Sequence, residues 1–344
     1  MCYTKRFNLP KGHAMLIDAY GRVIDYLRIS LTSKCNFRCQ YCMSEDGVPD
    51  IAHQNVLSYE QMFDFVKICI DGGVKKVRIT GGEPLVRRGV ENFISMIYNY
   101  APYIDLAMTT NGYYLKQKAS ALKDAGLKRL NISLDTLDAR KFCIIARRDG
   151  FLRVIEGINE ACALNFNVKL NTVAMRGVND NELLALIDYA ASINAQIRFI
   201  EYMENIHAST KIGSMSADDI LQIIATKHEI SEITKSPHSP SRLFKLENGY
   251  IFGLINPHNC DFCSTCNRIR LSSEGLLIPC LYFDEGRSIL KAMQAGDISA
   301  AKQILADVLA NKPEKNRWQS GEISARAFYE TGGWDFVILI NIKL

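Results

Sequence analysis

The chain has no apolar run long enough to cross a bilayer. Stretches such as "FVILI" at 336–340 fall far short of the roughly 20 residues that a spanning helix needs. The amino-terminal stretch "MCYTKRFNLPKGHAMLIDAYGR" has no apolar segment ahead of a small-residue cleavage site, so it does not read as a secretory signal. Excess charge is also scarce. A net charge of +4 over 344 residues, with a pI of about 8.4, is too weak to argue for a nucleic-acid partner, and it fits an anionic substrate about as well as it fits nothing in particular. Low-complexity segments are missing, and no repeat is visible beyond an alternation of strands and helices. What remains is a globular chain, 48% hydrophobic and 23% charged, expected in the cytoplasm with no membrane partner. Its length suits one large domain, or one plus a smaller one.

Cysteine, by contrast, is plentiful, with eleven in the chain. Disulfides are rare in a reducing compartment, so clustered cysteines point to metal or redox chemistry. Cys35, Cys39 and Cys42 fall within "SKCNFRCQYCMS" (33–44), and Cys263, Cys266 and Cys280 within "FCSTCNRIRLSSEGLLIPCL" (262–281). Cys260 stands beside the second group; Cys2, Cys69, Cys143 and Cys162 are scattered and read as small buried or incidental thiols.

Six β-branched, apolar strands are expected at 25–32, 74–80, 104–110, 128–134, 167–175 and 196–203, with helices at 58–73, 90–100, 115–126, 152–165 and 180–194 between them. Ser58 caps the first helix, and Gly72 and Gly73 end it. The run of βα units, read as parallel strands buried on both faces, predicts an α/β barrel or open sheet. Six units fall short of the eight that close a full barrel. Unusual polar residues mark every strand: the cysteine loop follows the first, then come "GGEP" (81–84), "TNG" (110–112) and "SLD" (133–135), while the fifth holds "KLNT" (169–172) and the sixth ends in "EYM" (201–203). In barrel-type folds the carboxyl ends of the strands form the active face, so all six deliver to one rim.

Three thiolates hold three irons of a [4Fe–4S] cluster and leave the fourth open, as a catalytic metal requires. Phe37 and Tyr41, interleaved with the cysteines, are placed to shield such a cluster. The alternative is a zinc site completed by a distant residue, for which paired CxxC spacings are the usual signature.

CxxxCxxC with an aromatic before its last cysteine, followed by "GGEP", resembles the radical S-adenosylmethionine (SAM) enzymes. The resemblance implies a partial (β/α)6 TIM-type barrel with a smaller C-terminal iron–sulfur domain. It also implies that SAM is chelated at the open iron, and that one electron releases a 5′-deoxyadenosyl radical. With "YLRIS", "RITGGEPL", "TTNG", "NISLD", "VKLNT", "RFIEYM" and the second cysteine group around "CNRIRL", the chain is similar to the GTP 3′,8-cyclase family of molybdenum cofactor biosynthesis from about Leu16 to Gly333.

That family resemblance implies a second [4Fe–4S] cluster on Cys263, Cys266 and Cys280, whose open iron binds guanine. It implies GTP contacts at Arg28, Arg78, Thr109, Lys169, Arg268 and Arg270, with Arg198 a further candidate, and SAM contacts at Tyr41, Gly82, Ser133 and Met203. Arg28, Arg78 and Lys169 lie within apolar strands, where a charge is costly unless paired. Arg268 and Arg270, at i and i+2, share one strand face and can meet one ligand. The implied reaction removes H3′ of GTP, joins C3′ to C8 and reduces the aminyl radical to 3′,8-cyclo-7,8-dihydro-GTP. The resemblance also implies that cyclic pyranopterin monophosphate synthase consumes the product and that flavodoxin or ferredoxin supplies electrons; family members are often dimers, which makes a homodimer the expected assembly. A peptide-modifying radical SAM enzyme with an auxiliary cluster, or a non-catalytic metal-binding relative, are the rival readings.

Two features depart from the family pattern. Cys260 makes the second group read C-x2-C-x2-C-x13-C, enough thiols to close the cluster, and is read here as a bystander. The family's catalytic Gly-Gly tail is matched by Gly332 and Gly333, but "WDFVILINIKL" follows it. The expected organisation is an extension over 1–15, a barrel over 16–235, an auxiliary-cluster domain over 243–333 and an apolar extension over 334–344. The Pro/Ser-rich "KSPHSPSR" (235–242) serves as linker, and a hairpin turns at Asn248 and Gly249.

Overall fold

The structure, a computed structural model, describes residues 15–203, 212–233, 241–258, 261–281 and 285–315. The expectations for Cys260, for the Gly332–Gly333 tail, for the linker and for both extensions lie wholly or largely outside these residues.

The βα rhythm is present in order. The first half of the chain gives β1 (Tyr26–Ser30), α1 (Tyr59–Asp71), β2 (Lys76–Thr80), α2 (Val90–Tyr100), β3 (Asp105–Thr110), α3 (Leu115–Asp124) and β4 (Arg129–Ser133). Next come α4 (Ala139–Ala146), α5 (Phe151–Ala163), β5 (Asn167–Arg176), α6 (Leu183–Ser192) and β6 (Gln196–Glu201). Only α4 breaks the expected alternation. Its cap is Asp138, whose carboxylate accepts from the Arg140 and Lys141 amides. At α1 the cap is reciprocal: the Ser58 side chain accepts from the Gln61 amide, and the Gln61 side chain accepts from the Ser58 amide.

The remaining elements are β7 (Gly213–Ser214), α7 (Ala217–Ala225), β8 (Ile230–Ile233), β9 (Arg242–Leu246), β10 (Ile251–Ile255), α8 (Asp261–Ser264), β11 (Arg268–Leu271), β12 (Leu276–Ile278), β13 (Arg287–Ser288), α9 (Leu290–Gln294) and α10 (Ile298–Ala310). β9 and β10 form the expected antiparallel hairpin. β1 to β6 lie side by side in parallel, and the C-terminal region extends both edges. β11 pairs in parallel with β1, and β10 in parallel with β6. The parallel run is therefore longer than the six strands legible in the sequence. The added strands come from a region whose sequence shows no βα rhythm.

The strands are not apolar on both faces. Leu27 and Ile29 of β1, Val77 and Ile79 of β2, Leu130 and Ile132 of β4, Ile197 and Phe199 of β6, and Ile269 and Leu271 of β11 are fully buried in the main core cluster. Residues that alternate with such apolar positions line a cavity on the opposite face, among them Arg28, Arg78, Ser133, Lys169 of β5, Arg198 and Arg270. Period-two alternation thus sends apolar side chains toward the helices and polar ones inward. Among the described residues, no helix is long and apolar enough to cross a membrane.

Candidate active site

The inward faces enclose a cavity of about 590 Å3, within the range that holds a small molecule. Nine lysine and arginine side chains line it against three aspartates. Register explains the concentration of charge. Arg270, Arg28 and Arg78 are direct neighbours across β11, β1 and β2. Burial, then Arg270, pull the Arg28 pKa well below the usual arginine range. Burial, then Arg78, bring Arg198 down to about 9, and burial, then Arg198, bring Lys169 to about 8. Arg198 donates to Asn131 Oδ1 at 2.6 Å and Lys169 to Gln196 Oε1 at 2.6 Å. The buried Nε atoms of Arg28, Arg78 and Arg198, and Thr109 Oγ1, have no hydrogen-bond partner. Buried donors and like charges left in this state are destabilising until an anion arrives.

Thr109, Tyr41, Ser133, Met203, Arg268, Cys263, Cys266 and Cys280 line the same cavity. Cys35, Cys39, Cys42 and Gly82 do not line it themselves but connect to it. The Tyr41 hydroxyl donates to Asp135 Oδ2 at 2.5 Å. Asp135 also accepts from the Val173 amide at 2.9 Å, yet burial raises its carboxyl to about 6. Asp135 and the neighbouring thiols are electrostatically coupled to Cys39 and Cys42. The buried Phe37 ring packs edge-on against Tyr113 and Phe142, in the core cluster against which Cys35 and Cys39 also pack.

The "GGEP" turn packs against the cysteine loop. A Cβ on Gly82 would come within 2.4 Å of the Lys34 carbonyl oxygen, and the Gly82 amide donates to the Thr32 carbonyl at 2.6 Å. Glu83 is buried and accepts from the Leu85 amide, Thr110 Oγ1 and the Asn111 amide at 3.0, 2.8 and 2.7 Å. Burial still pushes its carboxyl up to about 7. Asn111, so held, directs Nδ2 to Cys35 Sγ at 3.7 Å and Asn36 Oδ1 at 2.8 Å. The motif therefore reaches the first cysteine through Asn111, a link with no signal in the sequence.

The donor chemistry fits iron–sulfur ligation. Burial, then Glu83, raise Cys35 to about 12; burial, then the neighbouring thiols, raise Cys39 and Cys42. A bound cluster would supply the positive charge that lets such a set ionise. At the second group burial works to raise Cys266, but Arg268 and Lys312 bring it down to about 6. The described residues contain no group of three His, Cys, Asp or Glu able to hold a single metal ion. A cubane sets its ligands further apart than one ion does, because irons and sulfides lie between them. Lys312, two residues past the end of α10, is buried against Cys266.

A parallel α/β barrel with a three-cysteine loop after its first strand defines the class of radical SAM proteins, and the radical SAM superfamily model matches residues 29–190. The Molybdenum Cofactor Synthesis C model matches residues 195–318. A "GTP 3',8-cyclase" of Campylobacter fetus subsp. fetus is 64% identical over 322 residues, 93% of this chain and all of the relative. One from Sulfurimonas denitrificans is 53% identical over 321 residues, again 93% of this chain and all of the relative. Streptococcus suis SuiB bound to S-adenosylmethionine shares the fold at TM-score 0.62 and 16% identity, covering 84% of this chain and 66% of SuiB. The chain belongs to the GTP 3′,8-cyclase family.

Proposed function

We propose that this chain converts GTP to 3′,8-cyclo-7,8-dihydro-GTP in the first step of molybdenum cofactor biosynthesis. The observation that carries this reading is the single cavity in which an anion-seeking arginine row, Ser133, Tyr41 and the thiols of Cys263, Cys266 and Cys280 meet. Cys35, Cys39 and Cys42 would hold the first [4Fe–4S] cluster, and Cys263, Cys266 and Cys280 the second. When bound, the first supplies the electron that cleaves SAM to the radical that takes H3′ of GTP, and the second offers an iron to the purine.

The chain's own residues position and protect. Arg28, Arg78, Arg270 and Lys169 neutralise the triphosphate, and their pre-existing repulsion favours the bound state over the empty one. Arg198 and Thr109 add donors already desolvated. Ser133 and Met203 stand on the SAM side, and the Tyr41–Asp135 bond ties the cysteine loop to the wall of the cavity. Holding C3′ against the radical source before hydrogen transfer can lower the barrier by several kcal/mol, up to roughly ten. Gly332 and Gly333 enter this reading through the family resemblance alone. Flavodoxin or ferredoxin as donor, and cyclic pyranopterin monophosphate synthase as consumer of the product, belong to the same proposal.

The test is 5′-deoxyadenosine release by anaerobically reconstituted, dithionite-reduced protein with SAM. GTP should trigger it and yield the cyclised nucleotide by mass spectrometry, whereas ATP and peptides should not. Release independent of GTP would overturn the reading.

A further inference from the structure

Lys312 is 2% exposed and makes three hydrogen bonds, none to a carboxylate. Its ammonium donates to Cys266 Sγ at 3.6 Å, to the Arg268 carbonyl at 3.1 Å and to the Pro279 carbonyl. Three donors meet three acceptors, so the group is saturated. Cys266 is one expected ligand of the second cluster, and Pro279 directly precedes another, Cys280. Arg268 opens β11 and lines the cavity.

The third expected ligand is reached through the residues that follow. Arg22 donates to the Pro313 and Glu314 carbonyls, both at 2.7 Å, and to the Cys263 carbonyl at 3.0 Å. Asp18, itself buried, holds the Arg22 guanidinium through Nε at 2.5 Å. The short segment 312–314 is thus bonded directly to Cys266 and to Pro279, the residue before Cys280, and is tied to Cys263 through Arg22. A lone buried ammonium is costly unless an anion answers it, and the only non-carbonyl acceptor here is sulfur. Hydrogen bonds to cluster sulfurs, and nearby positive charge, set the reduction potentials of iron–sulfur centres.

We propose that Lys312 is a positioning residue for the second cluster: it fixes the Cys266 and Cys280 positions and, through its N–H···S bond, raises the reduction potential of the [4Fe–4S] group bound there. This rests on the two-cluster reading above. The added positive charge stabilises the reduced, more negative form over the oxidised one.

The test uses the full chain with Cys35, Cys39 and Cys42 replaced by alanine, so that only the second cluster can form. Iron content is measured first, then the midpoint potential by redox titration followed by electron paramagnetic resonance. In this background Lys312→Met should lower the midpoint enough to make the reduced-to-oxidised ratio at least tenfold smaller at the parent midpoint, about 59 mV for one electron. Lys312→Arg, which keeps the charge, should stay nearer the parent. Loss of iron from Lys312→Met with retention in Lys312→Arg also supports the proposal. A loaded Lys312→Met protein with an unchanged midpoint overturns it, as does equal iron loss from both variants. No iron in the parent background removes the two-cluster reading itself, a separate outcome visible before any potential is measured.

Discussion

Arg28→Met should weaken GTP binding while making the ligand-free protein more stable. Arg28 sits mid-β1 between Arg270 and Arg78 in the same register. None of the described carboxylates pairs with it, and its buried Nε has no partner. In the ligand-free protein its charge is therefore unfavourable, and methionine fills much of the same space without it. Replacing buried charges by apolar groups of similar shape ranges from neutral to stabilising by a few kcal/mol, so a gain on the order of 1 kcal/mol is expected. In the complex, one hydrogen bond to a charged group is worth about 1.5–3 kcal/mol, or roughly 10- to 150-fold in Kd. Thermal unfolding of the ligand-free protein and calorimetric titration with GTP read the two effects separately. A lowered Tm with unchanged GTP affinity would refute the reasoning, because it would make Arg28 a structural residue.

Lys169 gives a pH dependence: its protonated form binds phosphate, and burial and Arg198 set its free-protein pKa at about 8. Phosphate raises that pKa, so binding takes up a proton above it. Affinity for GTP, titrated from pH 7.5 to 9.5, should be full below about 8 and fall by up to tenfold per unit above. Lys169→Arg should carry the affinity to higher pH. Glu83→Gln presents an amide to three donors and should destabilise by about 1–3 kcal/mol in denaturant unfolding, with a rise in the iron lost on gel filtration. Gly157→Ala places a Cβ 2.3 Å from the Gly112 carbonyl oxygen. It should lower Tm by pushing α5 away from the turn after β3, whereas an unchanged Tm would mean that the helix shifts freely.

The order of strands and helices was legible because parallel βα units repeat one pattern, and residues 90–100 match α2 to the residue. The longer parallel run was not. β10 and β11 arrive through a hairpin and a cysteine segment, and long-range pairing of β11 with β1 leaves no mark on either strand's own residues. Reading the strands as apolar on both faces missed their alternation, because Arg28, Arg78 and Lys169 looked like isolated exceptions, whereas they are the inner face itself. Arg268 and Arg270 were legible as a pair from their i, i+2 spacing, and both line the cavity. Asn111, Asp135 and Lys312 carry roles that depend on tertiary approach: Asn111 on Glu83, Asp135 on Tyr41, Lys312 on a thiol 46 residues away in sequence.

The central claim is that GTP sits with C3′ beside the radical source in this one cavity. Turnover of GTP deuterated at C3′ with reduced protein and SAM tests it directly. The account predicts 5′-deoxyadenosine heavier by about one mass unit, formed one for one with the cyclised nucleotide, because the label leaves C3′ in the step that opens the reaction. Unlabelled 5′-deoxyadenosine beside a cyclised product that keeps its deuterium would contradict it.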